Sequence, residues 1–294
     1  MISDRNIRRR LRPLAPVPTE LSFAGGIPAP VAAVLFDIYG TLFISGSGDV
    51  GTSSHSATDQ PALAALLDRY SIPGSPAALL ERFFSAIEQA HAAAKRTGVD
   101  FPEVEIRSIW QGVLGVRQPE MIRDFALEFE LLANPVYPMP HLQRMLTILR
   151  RRRLPLGIIS NAQFYTPLLF RWFFGSEPPG IGFDPELTVY SYRFGRAKPS
   201  PLLFEHVAAV LARRGIAAAS VLYVGNDMLN DIFPAHAVGF RTVLFAGDSR
   251  SLRLRADHPH CTFLRADAVV TDLLQLVKVI DRHRVEPFET RGTP

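Results

Sequence analysis

The sequence predicts an α/β protein: a doubly wound parallel sheet interrupted, just after its first strand, by an all-helical insert. Two observations carry this. After Pro140, short apolar runs alternate with helix-periodic segments, the pattern of a parallel sheet covered on both faces. Between about residues 60 and 132 the spacing is helical, with no convincing strand.

The first strand is Val31 to Phe36, a short apolar run that ends in Asp37. A Gly/Ser-rich stretch follows, from Ser45 to Gly51, and reads as a flexible loop or hinge containing Gly46 and Gly48. In the insert, Leu63, Leu66, Leu67 and Tyr70 recur at helical spacing. So do Leu79, Leu80, Phe83, Phe84 and Ile87, and then Ile106, Ile109, Trp110, Val113 and Leu114. The expected elements beyond it are a helix over 142–149, a strand over 156–160 and a strand over 187–191. A helix over 201–213, a strand over 221–225, a helix over 232–238 and a strand over 242–245 follow. A short strand over 267–270 leads into a helix reaching about residue 280. The domain boundaries are therefore a mobile N-terminal extension, 1–29; a core, 30–46 and 138–281; a cap, 47–137; and a C-terminal tail, 282–294.

The chain has 294 residues, 47% of them hydrophobic, enough for one large core and an appended unit. No apolar run approaches the roughly 20 residues of a membrane span. The single cysteine, Cys261, forbids an intrachain disulfide and suits a reducing, cytoplasmic setting. The basic N-terminus is broken by Pro13, Pro16 and Pro18 and lacks the apolar core of a secretory signal. The net charge of +4 comes from dispersed arginines with no interleaved aromatics. That pattern points away from nucleic acid and suits a small anionic substrate. Oligomeric state has no sequence signal.

Ligands of open parallel sheets sit at the carboxyl ends of strands, near the switch point. Here those ends carry Asp37, Ser160-Asn161 and Gly225-Asn226-Asp227, with Asp231 four residues on and Lys198 on a loop before a helix. A carboxylate can attack phosphorus or an activated carbon and form a covalent intermediate that water then cleaves. Gly40 and Thr41 can supply a tight turn and donors for an anion. Lys198 can neutralise charge on the nucleophile and the transferring group. Asp227 and Asp231, with Asp37, offer the oxygen ligands that Mg²⁺ prefers.

Phe36-Asp37-Ile38-Tyr39-Gly40-Thr41-Leu42-Phe43 resembles the first motif of the haloacid-dehalogenase-like (HAD-like) hydrolases. Ile158 to Asn161 is similar to their second motif, Lys198-Pro199 to the third, and Val221 to Ile232 to the fourth. The helical insert falls where subfamily I members carry a C1-type cap, and the resemblance covers roughly residues 31 to 275. It implies a Rossmann-like core with Asp37 as nucleophile and metal ligand. It makes the Tyr39 backbone carbonyl a second ligand. Thr41, Ser160 and Asn161 would hold the transferring group, and Lys198 would steady its charge. Asp227 would bind Mg²⁺, with Asp231 acting through water or Lys198. Asn226 stands where many members have aspartate, so the direct ligand lies between these neighbours.

One position departs from the pattern of the family's phosphatases. They carry a second aspartate two residues after the nucleophile, as general acid and base; here that residue is Tyr39. Tyrosine is a poor base at neutral pH. The 2-haloacid dehalogenases of the family have tyrosine there, release halide without protonation and use no metal. The fourth motif, with two acids beside a nucleophilic acid, argues for a cation. Mg²⁺-dependent hydrolysis of a small phosphomonoester is therefore favoured over dehalogenation, with a degenerate, binding-only protein as a third reading.

In the cap, His91 and Lys95 share a helix face, and Lys95 and Arg107 are candidates for substrate contact. The plainer reading is a solvated face with Trp110 in the core. Asp257-His258-Pro259-His260-Cys261 reads as a loop entering a strand, not a metal site, because no partner cluster matches it.

Overall fold

The computed structural model describes residues 3–47 and 59–281. The Gly48 part of the hinge and the 282–294 tail lie outside them. In chain order the first elements are α1 (Asp4–Arg8), β1 (Ala24–Gly25), β2 (Ala33–Phe36) and β3 (Phe43–Ser45). The insert supplies α2 (Gln60–Arg69), α3 (Pro76–Arg96), α4 (Ile106–Leu114) and α5 (Pro119–Ala133). The chain returns through β4 (Val136–Pro138), α6 (Leu142–Arg151), β5 (Leu156–Ser160), α7 (Thr166–Phe174), β6 (Phe183–Tyr190), α8 (Ser191–Phe194) and α9 (Leu202–Arg213). It closes with β7 (Val221–Gly225), α10 (Phe233–Ala237), β8 (Arg241–Phe245), β9 (Ala268–Val270) and α11 (Leu273–Asp281).

Seven strands form one sheet in the order β1-β9-β8-β7-β2-β5-β6, parallel except for β1 against β9. The chain runs outward from β2 through β5 to β6, then returns to the other side of β2 for β7, β8 and β9. The carboxyl end of β2 is thus the switch point, and Asp37 follows it directly. Side chains alternate between faces along each strand. Val34 and Phe36 of β2, Ile158 of β5 and Val224 of β7 join one apolar cluster. Ala33, Leu35, Ile159, Val221 and Tyr223 join the other, against Leu203, Phe204 and Val207 of α9. Both faces are buried, which is why these strands read as continuous apolar runs.

The cap helices start where local chemistry dictates. The Asp59 and Ser75 side chains accept from the amides of Ala62 and Ala78, and Pro76 and Pro119 occupy first helical positions. Glu105 caps α4, which ends at Gly115 in the left-handed region. Phe83 stacks on Trp110 with centroids 4.1 Å apart, and Phe125 and Phe129 meet the same indole edge-on. The chain enters and leaves the cap as an antiparallel ribbon, Phe43 opposite Pro138 and Ser45 opposite Val136. Sequence periodicity does not show this ribbon, because each strand has three residues.

Three differences from the sequence expectation have physical reasons. β6 begins at Phe183, four residues earlier than expected, and Ser191 already belongs to a helix. The helix expected over 232–238 is α10, and a π-turn over Met228–Ile232, which the sequence reading did not include, feeds it. The N-terminal extension, expected to be mobile, is bound along the body. Ile7 and Ile27 are buried, Asp4 Oδ1 accepts from the Trp172 indole N–H at 3.1 Å, and β1 adds an edge strand. Apolar anchors every few residues outweigh the extension's positive charge, and its prolines limit the freedom lost on docking.

Arg10 of this extension and Arg69 of α2 both pair with the buried Glu128 of α5, which also accepts from Tyr70 Oη at 2.8 Å. Burial raises the Glu128 carboxyl, but Arg10, Tyr70 and Arg69 outweigh it and hold the group below the ordinary carboxylate range. A depressed acid stabilises the fold above its unfolded pKa, and that stability is lost as pH falls through the folded one. Glu128→Gln is therefore expected to lower stability at pH 7 by about 1–3 kcal/mol, allowing for the exposed arginines. The deficit should shrink below pH about 4. Urea melts at pH 7 and pH 3.5 check this; an equal deficit at both would refute it.

Candidate active site

Asp37 is 5% exposed and lies between the ends of β5 and β7. Ser160 Oγ donates to its Oδ1 at 2.9 Å, and Lys198 Nζ donates to the same oxygen at 2.6 Å. Among the described residues no hydrogen bond reaches Oδ2, so one oxygen is anchored and the other is left for chemistry. Lys198 is itself buried and also pairs with Asp231 Oδ1 at 2.5 Å. Burial opposes the ammonium, but Asp231 and Asp37 outweigh it and raise its pKa above the usual lysine value. Burial also pushes the Asp231 carboxyl up, with Lys198 pulling it back.

Asp231 is fully engaged. Its Oδ2 accepts from the backbone N–H groups of Asn226 and Asp227, each at 3.0 Å. The Tyr223 hydroxyl sits between Asp231 Oδ1 at 3.0 Å and the Ile159 carbonyl at 2.9 Å, and either can accept its proton. Gly225 makes this possible: a Cβ there would stand 2.3 Å from the Asp231 carboxyl carbon. Gly40 plays a matching part, with φ +80° and Asn226 so close that a Cβ would meet it at 2.7 Å.

The structure brings Asp37, Ser160, Lys198 and Asp231 together. It gives other expected residues different work. Thr41 Oγ1 donates to Asn226 Oδ1 at 3.0 Å, so its hydroxyl ties the loop to the end of β7 instead of facing the transferring group. Asn161 clamps the Lys198 backbone, accepting its N–H at 2.7 Å and donating to its carbonyl at 3.3 Å. It is a positioning residue for the lysine. Tyr39 Oη lies 3.0 Å from Thr166 Oγ1, and burial, then Glu130, raises its pKa well above the ordinary phenol value.

The Asp227 carboxylate is bonded to its own turn and to Arg255. It caps the π-turn, accepting from Leu229 N at 2.8 Å, and pairs with Arg255 Nη2 at 2.7 Å. The set Asp37, Asp227 and Asp231 therefore does not fit Mg²⁺ as a carboxylate cage: one acid serves Arg255 and another is saturated by Lys198, Tyr223 and two amides. Of the neighbours Asn226 and Asp227, it is Asn226 that reaches the nucleophile loop, with a neutral amide. Tyr223 and Arg255 escaped the sequence reading. The signal for Tyr223 was a phenol inside an otherwise apolar strand.

Between cap and core lies a cavity of about 170 Å³, lined by Phe83, Trp110 and Phe129 of the cap and by Tyr39 and Asn161 beside the nucleophile. Glu103 and Glu130 also line it, and among the described residues no lysine or arginine does. Lys95 is exposed and Arg107 pairs with Glu105 at 2.7 Å, so neither cap cation faces the cavity. His260, from the loop 257–261, stacks on Phe233.

A family model for haloacid dehalogenase-like hydrolases matches residues 31–239. The chain belongs to that family. No curated protein matches the sequence. Among solved structures, a 2-haloacid dehalogenase from Pseudomonas syringae pv. Tomato DC3000 superposes with a TM-score of 0.53 at 21% identity, covering 86% of this chain and 99% of its own. A HAD phosphatase from Thermococcus onnurineus superposes with a TM-score of 0.51 at 20% identity, covering 85% and 98%. At such identities the likeness speaks for the fold alone. No helix among the described residues is long and apolar enough to cross a membrane.

Asp227→Asn is expected to remove an ion pair while keeping a competent cap, costing about 0–1 kcal/mol of stability. Its kcat/KM should stay within about tenfold of the parent, whereas Asp37→Asn should lose about 10³-fold or more. Parallel melts and kinetics on both variants check this. A collapse of activity in Asp227→Asn with an unchanged melt would place Asp227 in the reaction.

Proposed function

We propose that this chain hydrolyses small phosphomonoesters through a phospho-aspartyl intermediate on Asp37. The supporting observation is the asymmetric anchoring of that carboxylate: among the described residues, two donors on Oδ1 and none on Oδ2. Oδ2 attacks phosphorus, the ester P–O bond breaks with its electron pair, and the alkoxide or phenoxide departs toward the cavity, taking its proton from solvent water. Water then attacks the same phosphorus, Asp37 leaves as carboxylate, and the water's protons stay with the released phosphate. Lys198 keeps the carboxylate ionised and offsets the charge of the transferring group.

The cavity favours phosphoester over carbon–halogen chemistry. A 2-haloacid would bring a carboxylate and expel a halide beside Glu103 and Glu130, with no lysine or arginine on the wall among the described residues. Dehalogenation is the second reading, favoured by Tyr39, because halide leaves without a proton. Mg²⁺ is part of the phosphatase reading on family grounds. With Asp227 and Asp231 engaged, its protein ligands would be Asp37, the Tyr39 carbonyl and the Asn226 amide oxygen, with waters and phosphate completing the shell. When bound it would shield the phosphate charge.

The test is phosphate release from 4-nitrophenyl phosphate, with Mg²⁺ and with EDTA, beside chloride release from 2-chloropropionate. Phosphate release that Asp37→Asn abolishes is expected. Chelator-insensitive chloride release without phosphate turnover would overturn the ordering.

Tyr39 also sets an expectation for the leaving group. With its phenol held far above neutral, it is a weak proton donor. Rates should fall steeply as the leaving-group pKa rises, so aryl phosphates should exceed alkyl phosphates in kcat by about 10²-fold or more. A flat dependence across a graded aryl and alkyl series would reveal a working general acid.

A further inference from the structure

The walls of the cavity between cap and core are chemically divided. One side is aromatic, with Phe83 and Trp110 stacked and Phe129 meeting the indole. The other side carries Glu103 and Glu130. Glu130 accepts from Tyr165 Oη at 2.8 Å and Asn134 Nδ2 at 3.3 Å. Glu103 accepts from Ser191 Oγ at 2.7 Å, the Val104 N–H at 2.9 Å and Gln163 Nε2 at 3.3 Å. All these partners are neutral. Neither carboxyl has an ion pair among the described residues, in contrast to Glu128, which has two arginines.

A buried carboxylate without a cation is costly. Burial raises both carboxyls above their ordinary values, with Tyr165 and Asn134 for Glu130, and Ser191 and Val104 for Glu103, pulling back only in part. A third group points to the same void. His91 lines it with a buried Nε2 that has no hydrogen-bond partner among the described residues. Burial, then Lys95, lowers its pKa, so the ring is neutral at pH 7 and adds no positive charge.

We propose that this cavity is a binding site for an organic ammonium group on a small apolar or aromatic body. The aromatic wall holds the body and attracts the cation through its ring faces. Glu103 and Glu130 provide the missing counter-charge, and His91 Nε2 offers an acceptor when its proton sits on Nδ1. The size fits: an apolar cavity of about 150 Å³ admits a benzene ring. Because Tyr39 and Asn161 belong both to this wall and to the surroundings of Asp37, the ligand is the leaving-group end of the substrate. Resting on the phosphatase reading, the substrate class is the phosphomonoester of an amino alcohol or aminoalkyl phenol. The phosphate remains its anionic end.

Two experiments separate the site from the reaction. The first is binding of benzylamine, benzyl alcohol and benzoate to the full chain, by calorimetry at pH 7.5. Benzylamine is expected to bind at least about tenfold more tightly than the alcohol, and benzoate more weakly than either. Glu130→Gln should reduce the amine-to-alcohol ratio toward one. Glu103→Gln is the second variant, should the first fail to fold. Equal binding of the three, or preference for benzoate, would overturn the proposal. The second is kcat/KM for 4-(aminomethyl)phenyl phosphate against 4-methylphenyl and 4-carboxyphenyl phosphate, with the aminomethyl ester expected to lead by about tenfold. Amine binding with no hydrolysis of any ester would keep the site and remove the phosphatase reading. Hydrolysis of all three at similar rates, without amine selectivity in binding, would do the reverse.

Discussion

The ammonium of Lys198 is the contact on which the site depends. It lies in the interior between two carboxylates, Asp37 at 2.6 Å and Asp231 at 2.5 Å. Two buried acids so close could not both ionise without it. Its own burial would be unfavourable without them. Each group is therefore charged because the others are. The rest of the site keeps this trio in place: Asn161 grips the lysine backbone, Ser160 holds Asp37 Oδ1, and Tyr223 with two backbone amides holds Asp231. One net negative charge remains after Lys198 is counted, and it is best carried by Asp37 Oδ2, the carboxylate oxygen with no hydrogen bond among the described residues.

The strand order explains how residues so distant in sequence meet. Asp37, Ser160 and Asn226 stand at or just after the ends of three adjacent parallel strands, and Lys198 precedes the helix that packs under them. The opposing helix α9 sets Phe204 edge-on to Tyr223 at 5.0 Å, so the phenol that supports Asp231 is itself fixed by the core. Packing energy is thereby converted into orientation at the nucleophile.

Much of this was legible in the sequence because it follows from periodicity and strand ends. Apolar runs that finish in Asp37, Ser160 and Gly225 marked the buried strands and their reactive ends. The cap showed itself through apolar residues at helical spacing, Trp110 among them. What was hidden depends on side-chain direction, which sequence spacing does not encode. Asp227 and Asp231 are equally acidic on paper, yet one caps a turn against Arg255 and the other faces Lys198. Thr41 and Asn161 have donors suited to an anion, and each gives one of them to a protein partner. The N-terminal extension misled because charge is conspicuous and isolated apolar anchors such as Ile7 and Ile27 are not. The ribbon of β3 and β4 was too short for any periodic signal.

Tyr39 connects the site to the cavity above it. In place of a carboxyl that would share protons with the leaving group, the chain puts a buried phenol bonded to Thr166. Among the charges acting on that phenol, the cap's Glu130 outweighs Asp37. The acid missing from the nucleophile loop thus has a counterpart on the opposite wall, held by Tyr165 and facing the same void. Moving the carboxyl from core to cap changes what it can do. Beside the nucleophile it would handle protons for any alcohol. Across the cavity, next to an aromatic stack and with no ion pair among the described residues, it would on the proposed function select the leaving group by charge. On that proposal the general acid has been exchanged for discrimination, which requires substrates whose leaving groups depart without much help.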